Sequence, residues 1–214
     1  MKKTALILIA ALLASGSAFA GHSRSYDVTI TNITAGQTFT PALVATHRSD
    51  ISFFELGEPA SDELGTLAES GNIMPLKDVL DSAPSLVGDT ATNGALLEPG
   101  DSVTIRVNGG RYFNRLSIVA MMIPTHDTIV AIDSVYLPRW ETTEMATAYD
   151  AGTELNDELC ANIPGPVCGG EGSSAGGGEG YVHVANGIHG IGDLAPEVFD
   201  YRNPVAKVTV RRVW

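Results

Sequence analysis

The feature that most restricts the fold of this chain is a pair of apolar segments, residues 116–123 and 128–135, separated only by Pro124-Thr125-His126-Asp127. Each is strand-length, rich in β-branched residues and bounded by polar turns. The spacing predicts strand, turn, strand, and the two segments form the expected core hairpin. Period-two alternation marks two more strands. In residues 26–32, Tyr26, Val28 and Ile30 share one face and Asp27, Thr29 and Thr31 the other, and in residues 102–108 Val103, Ile105 and Val107 point inward. Between these lie two segments at helical spacing. Residues 61–69 carry Leu64, Leu67 and Ala68 behind Ser61 as N-cap, and residues 75–83 carry Leu76, Val79 and Leu80 behind Pro75 in the first turn.

After Asp150 the pattern becomes loop-like, and residues 169–180 are almost entirely Gly, Ser and Ala. Order resumes at residues 181–185 and closes with a strand at residues 205–213. Strands at both ends with helices inserted in a crossover predict an all-β chain, an antiparallel β-sandwich whose terminal strands pair.

The N-terminus reads Met1-Lys2-Lys3, an apolar run over residues 5–14, and small residues ending in Ala18-Phe19-Ala20. This is the order of a bacterial-type secretory signal peptide, residues 1–20, leaving one domain over residues 21–214. No stretch reaches the roughly 20 apolar residues of a transmembrane helix. Removing Lys2 and Lys3 changes the charge from −12 to −14, with 11 basic against 25 acidic residues. Nucleic acid and anionic membranes are therefore poor partners. Periplasmic or extracellular residence agrees with Cys160 and Cys168, eight positions apart and expected to form a disulfide across a short loop.

The most informative polar cluster is acidic. Asp127 sits at the hairpin tip, and Tyr149-Asp150-Ala151-Gly152-Thr153-Glu154 places two carboxylates around a glycine that permits a sharp turn. Calcium takes six to eight hard oxygens, typically from such loops, and Asp133 and Asp157 are nearby acids that can join. Solvated loop acids are the plainer alternative. Histidines are a second candidate: His183 and His189, with His47 or His126, offer imidazoles to a transition metal, with hydrogen bonding and loop exposure as the alternative.

Gly172-Ser173-Ser174-Ala175-Gly176 matches the hydrolase Gly-x-Ser-x-Gly string, but it lacks the strand and helix that hold such a serine. Paired carboxylates for glycoside hydrolysis depend on separations that a string does not give. Asn32-Ile33-Thr34 is a glycosylation sequon expected to be idle.

Taken in order, Tyr26-Asp27-Val28-Thr29-Ile30-Thr31-Asn32, residues 41–47, residues 54–61, Pro124-Thr125-His126-Asp127, Asp150-Ala151-Gly152-Thr153-Glu154 and Val182-His183-Val184 through His189-Gly190 resemble the spondin N-terminal domain family in its bacterial form. The resemblance implies an antiparallel sandwich like that of calcium-dependent phospholipid-binding modules, in extracellular proteins that bind cells and other partners. It also implies three calcium-binding acids, which by matching motif are Asp127, Asp150 and Glu154. Glu154 stands where animal members have Asp, and Thr128 where they have an aromatic residue.

The reading is thus an exported, non-catalytic, calcium-binding domain of adhesion type, with an unidentified protein or glycan ligand outside the cytoplasm. The alternative is an exported metal-dependent enzyme or carboxylate-based hydrolase using His183, His189 and nearby acids.

Overall fold

A computed structural model describes residues 23–173 and 176–214. The expected signal peptide, residues 1–20, and Ser174 of the Gly-x-Ser-x-Gly string lie outside the described residues. In chain order the elements are β1 (Arg24–Asn32), β2 (Thr38–Phe39), β3 (Leu43–His47), α1 (Asp62–Ser70), α2 (Met74–Asp81), β4 (Val87–Thr92), β5 (Ser102–Gly109), β6 (Arg115–Ile123), β7 (Thr128–Tyr136), β8 (Glu141–Asp150), β9 (His183–Val184), α3 (Pro196–Phe199) and β10 (Ala206–Arg212). The fold is all-β with few short helices, as the alternation predicts.

The strands form one antiparallel sheet in the order β4-β3-β6-β7-β8-β10-β1-β5, with β2 added beside β6 and β9 beside β8. The terminal strands pair as expected, with Val28 opposite Val210 and Ile30 opposite Val208. Their inward residues join Ile105, Val107, Leu116, Ile118, Ala120 and Met122 in the interior of the curled sheet. Burial of each Val, Ile, Leu or Met side chain among them contributes about 1.5–3 kcal/mol.

The run in β6 is apolar on both faces because both faces are covered. Ile118 and Ala120 face the interior, while Val119 packs with Leu43, Ala45, Ile129 and Ala131 under Leu64, Leu67, Leu76 and Leu80 of α1 and α2. Ser61 caps α1 by accepting a hydrogen bond from the Leu64 amide (3.2 Å). Asn32 of the sequon is fully buried, its side-chain amide donating to the carbonyls of Gln37 (2.7 Å) and Leu97 (3.0 Å). That burial makes the sequon inaccessible.

The sheet curls until its two edges, β4 and β5, lie side by side. Side chains join them where no backbone ladder forms. Asp89 of β4 accepts from the Asn108 backbone amide (2.7 Å) and side-chain amide (2.9 Å), and the Thr46 hydroxyl of β3 donates to the Asn108 carbonyl (2.5 Å). An edge strand whose polar groups are satisfied in this way is closed to further pairing. Cys160 and Cys168 form the expected disulfide, which in the chain-entropy account contributes about 2.5 kcal/mol for a loop this short.

Asp89→Ala removes the acceptor of the seam. Its expected cost is about 1–2 kcal/mol, with faster amide exchange at Asn108 and unchanged exchange at the centre of β6 and β7. Unaltered exchange at Asn108 would show that the edges are held by other contacts.

Candidate metal centre

Strand register assembles the centre. Thr128 is opposite Asp150, and Asp150 is opposite His183, so β7, β8 and β9 set Asp150 between the hairpin turn and a histidine. Asp127, just before β7, is fully buried. Its Oδ2 accepts from the Thr153 amide (2.7 Å), the Thr153 hydroxyl (3.1 Å) and the Glu154 amide (3.0 Å). Its carbonyl accepts from the Ala151 amide (3.1 Å). Its Oδ1 is buried with no hydrogen-bond partner.

Asp150, 3 % exposed, accepts from the Gly152 amide on Oδ1 (2.8 Å) and from the Asn156 side chain on Oδ2 (2.8 Å). Gly152 is left-handed (φ 69°), and a Cβ on it would overlap the Tyr181 backbone. Glycine there lets the segment leading into β9 close over the turn.

The structure therefore brings Asp127, Asp150 and the Glu154 backbone to one end of the sheet. The Glu154 carboxylate, also fully buried, turns toward His126, with Oε2 3.9 Å from Nδ1. His126 Nε2 accepts from the Glu158 amide (3.0 Å) and lies 3.1 Å from Asp157 Oδ1, so Asp157 neighbours the centre through a histidine.

Asp133 does not join. It lies about 20 Å along β7 from Asp127, at ~3.3 Å per residue. There it accepts from the Ser117 hydroxyl (2.7 Å) and the Phe53 amide (3.0 Å), beside buried His47, which is 2.7 Å from the same hydroxyl. His189 is exposed, and its backbone amide donates to Glu158 Oε1 (2.6 Å).

Among the described residues, one group of three side chains has its ligand atoms all within 4.8 Å of one another: Asp150, Glu179 and His183. Asp127 and Glu154 stand outside it. His183 Nε2 is 3.5 Å from Asp150 Oδ1 and 3.5 Å from Glu179 Oε2. Glu179 is the residue that sequence reasoning missed, lying as it does in the Gly-rich stretch. The signal was its position four residues before His183. A polar cavity of about 210 Å³ adjoins the group, lined by His126, Asp150, Glu158, Glu179, His189 and Tyr201 among others.

The charges here oppose one another. Burial raises the Asp127 carboxyl above its ordinary value against the hydrogen bonds from Glu154 and Thr153, and the Glu179 charge adds to the rise. Burial, then the Asp127 charge, raises Asp150 from 3.8 to about 6. Burial disfavours the His183 cation, but its bond to the Val184 carbonyl and the charges of Asp150 and Glu179 outweigh this and raise it.

Folded Asp150 thus holds its proton more tightly than the unfolded chain does, and stability falls as pH rises through that window. Raised His183 has the same sign, its contribution being lost as pH rises through its folded value. Metal-stripped protein is expected to lose stability on the order of 3 kcal/mol between about pH 3 and about pH 7 through Asp150 alone, read as denaturation midpoints in chelator. Asp150→Asn should flatten that slope, and a wild-type stability rising across the window would contradict this electrostatic picture.

Residues 20–157 match the spondin N-terminal domain family (Spondin_N). The match runs from β1 through β8 and contains Asp127, Asp150 and Glu154, whereas Glu179 and His183 lie beyond it. No curated protein matches the chain. No helix among the described residues is long and apolar enough to cross a membrane. With well over half of the chain matched, on an all-β fold of the expected kind, the chain belongs to the spondin N-terminal domain family, whose domains are of extracellular type.

Proposed function

We propose that this chain is an exported, non-catalytic binding domain of adhesion type, whose loop end holds calcium through Asp127, Asp150 and Glu154. The observation that carries the reading is Asp127 Oδ1, a fully buried carboxylate oxygen with no hydrogen-bond partner. Asp150 and Glu179 act on it as like charges, with the His183 imidazole the basic group acting on Asp150. A buried anionic oxygen is costly unless a cation meets it. Calcium suits the oxygen-rich turn, whose carboxylates the Thr153, Glu154 and Gly152 amides already hold in place.

Export is supported by the signal-peptide pattern of residues 1–20 and by the disulfide. The ligand of the domain is then a protein or glycan outside the cytoplasm. One observation favours the alternative of an exported metal-dependent enzyme or hydrolase using His183, His189 and nearby acids. The cavity beside Asp150 and Glu179 is lined by His189, with His126 and Tyr201, the polar lining that a small substrate needs.

Calcium binding only to the folded protein stabilises it by about 2.7 kcal/mol when free calcium is a hundred times the dissociation constant. Thermal unfolding with calcium and with chelator is expected to show that shift in the wild type and in Asp157→Asn, and to lose most of it in Asp127→Asn and Asp150→Asn. An equal shift in all four proteins would reduce the acids to a diffuse field, and no shift in the wild type would end the calcium reading.

A further inference from the structure

We propose that Asp150, Glu179 and His183 form a second metal site, for a borderline divalent ion of the zinc class. It is distinct from the calcium position on the Asp127 and Glu154 side and shares Asp150 with it. The proposal goes beyond the calcium reading and rests on it only in that shared residue.

The imidazole orientation is the first argument. His183 Nδ1 lies 3.0 Å from the Val184 carbonyl. A carbonyl only accepts, so Nδ1 carries a proton, and in the neutral imidazole the Nε2 lone pair points the other way. It points between Asp150 Oδ1 and Glu179 Oε2, each 3.5 Å distant, and Nε2 is buried with no hydrogen-bond partner. With Nε2 unprotonated, its lone pair facing two carboxylate oxygens is repulsive until a cation sits among them; a proton fills that place in the metal-free imidazolium, which pairs with both acids, and a metal ion competes with it. A backbone carbonyl that fixes the tautomer of a histidine is also the usual outer support of a metal-bound imidazole.

The spacing is the second argument. Two ligands of a tetrahedral ion at ~2.1 Å stand about 3.4 Å apart, close to the 3.5 Å observed and too long for a hydrogen bond. The imidazole then decides the class of ion. Calcium takes oxygen, whereas a nitrogen with two carboxylates suits zinc and its first-row neighbours.

The third argument is how the ligands are held. Asp150 and His183 are cross-strand neighbours in β8 and β9, and both Asp150 oxygens are fixed, by Gly152 and Asn156. Glu179 arrives on the Gly-rich arm, where a Cβ at Gly178 would overlap the Gly152 carbonyl. The Tyr181 ring lies against His183 at a tilt, with centroids 5.5 Å apart. Three protein ligands leave a fourth position open. Glu179 is 39 % exposed at its side chain, and with Asp150 it lines the adjoining cavity, so water or an oxygen of an incoming ligand can take that position.

The test is cobalt(II) titration of the chelator-stripped, full mature protein, followed by visible absorption and by competition with zinc. Four-coordinate cobalt gives intense visible bands that six-coordinate cobalt lacks. The wild type should show them and lose them to zinc. His183→Ala and Glu179→Gln should weaken cobalt affinity at least about tenfold, with thermal midpoints in chelator confirming that they fold, while His189→Ala should bind as the wild type does.

The two sites separate by variant: His183→Ala keeps the calcium shift and loses the bands, and Asp127→Asn does the reverse. Bands that persist in His183→Ala, or vanish equally in His189→Ala, overturn the proposal. Loss of both signals in both variants also overturns it, as a single shared site. Bands without any calcium shift leave this site standing and remove the calcium reading alone.

Discussion

One buried carboxylate, that of Asp127, holds the working end of this molecule together. Three donors from Thr153 and Glu154, residues 26 and 27 positions later in the chain, converge on its Oδ2. Taking a carboxylate out of water costs several kcal/mol, and charge-assisted bonds to backbone amides offset part of that. The remaining oxygen is left inside the protein with carboxylates for neighbours. The same group that shapes the turn after β8 therefore also makes the turn electrostatically unfinished. A fold built on this contact is tuned by whatever supplies positive charge there, whether protons on Asp150 and His183 or a metal ion.

Much of the scaffold was legible in the sequence because its signals are those of one-sided burial. Alternation marked β1 and β5, and helical spacing with Ser61 and Pro75 marked α1 and α2. The hairpin of β6 and β7 stood out because both its faces are covered, which turns alternation into a continuous run. β8 carries its inward positions on Ala146, Ala148 and Asp150, too small or too polar to register as a buried face. β3 is only five residues long and wholly buried, and β4 begins Val87-Gly88-Asp89, which reads as a turn. Neither offers a period to detect.

The centre was half legible for a related reason. The acids of the Asp-Ala-Gly-Thr turn announce themselves by type and spacing. The histidines were read as a separate constellation, because only the pairing of β8 with β9 puts His183 opposite Asp150. That pairing depends on a two-residue strand after a long irregular segment. Asp133 failed for a geometric reason: it is six residues from Asp127, which along a strand means the far end of the sheet, where Ser117 and the Phe53 amide bind it.

The stretch over residues 169–180 carries the remaining lesson. Its composition is that of a flexible linker, yet the Gly180 amide donates to the Gly152 carbonyl (2.8 Å), and Glu154 and Gly177 form a β-bridge. Glycine is required at Gly178 because the backbone presses against the Gly152 carbonyl too closely for any side chain. An arm held by close backbone contact delivers Glu179 to Asp150 and His183. A cation gripped by Glu179 from the arm and Asp150 from the sheet would bind only while the arm is docked. On the proposed second site, metal occupancy and the order of this loop end would be one equilibrium, because the ion would bind only the docked arm.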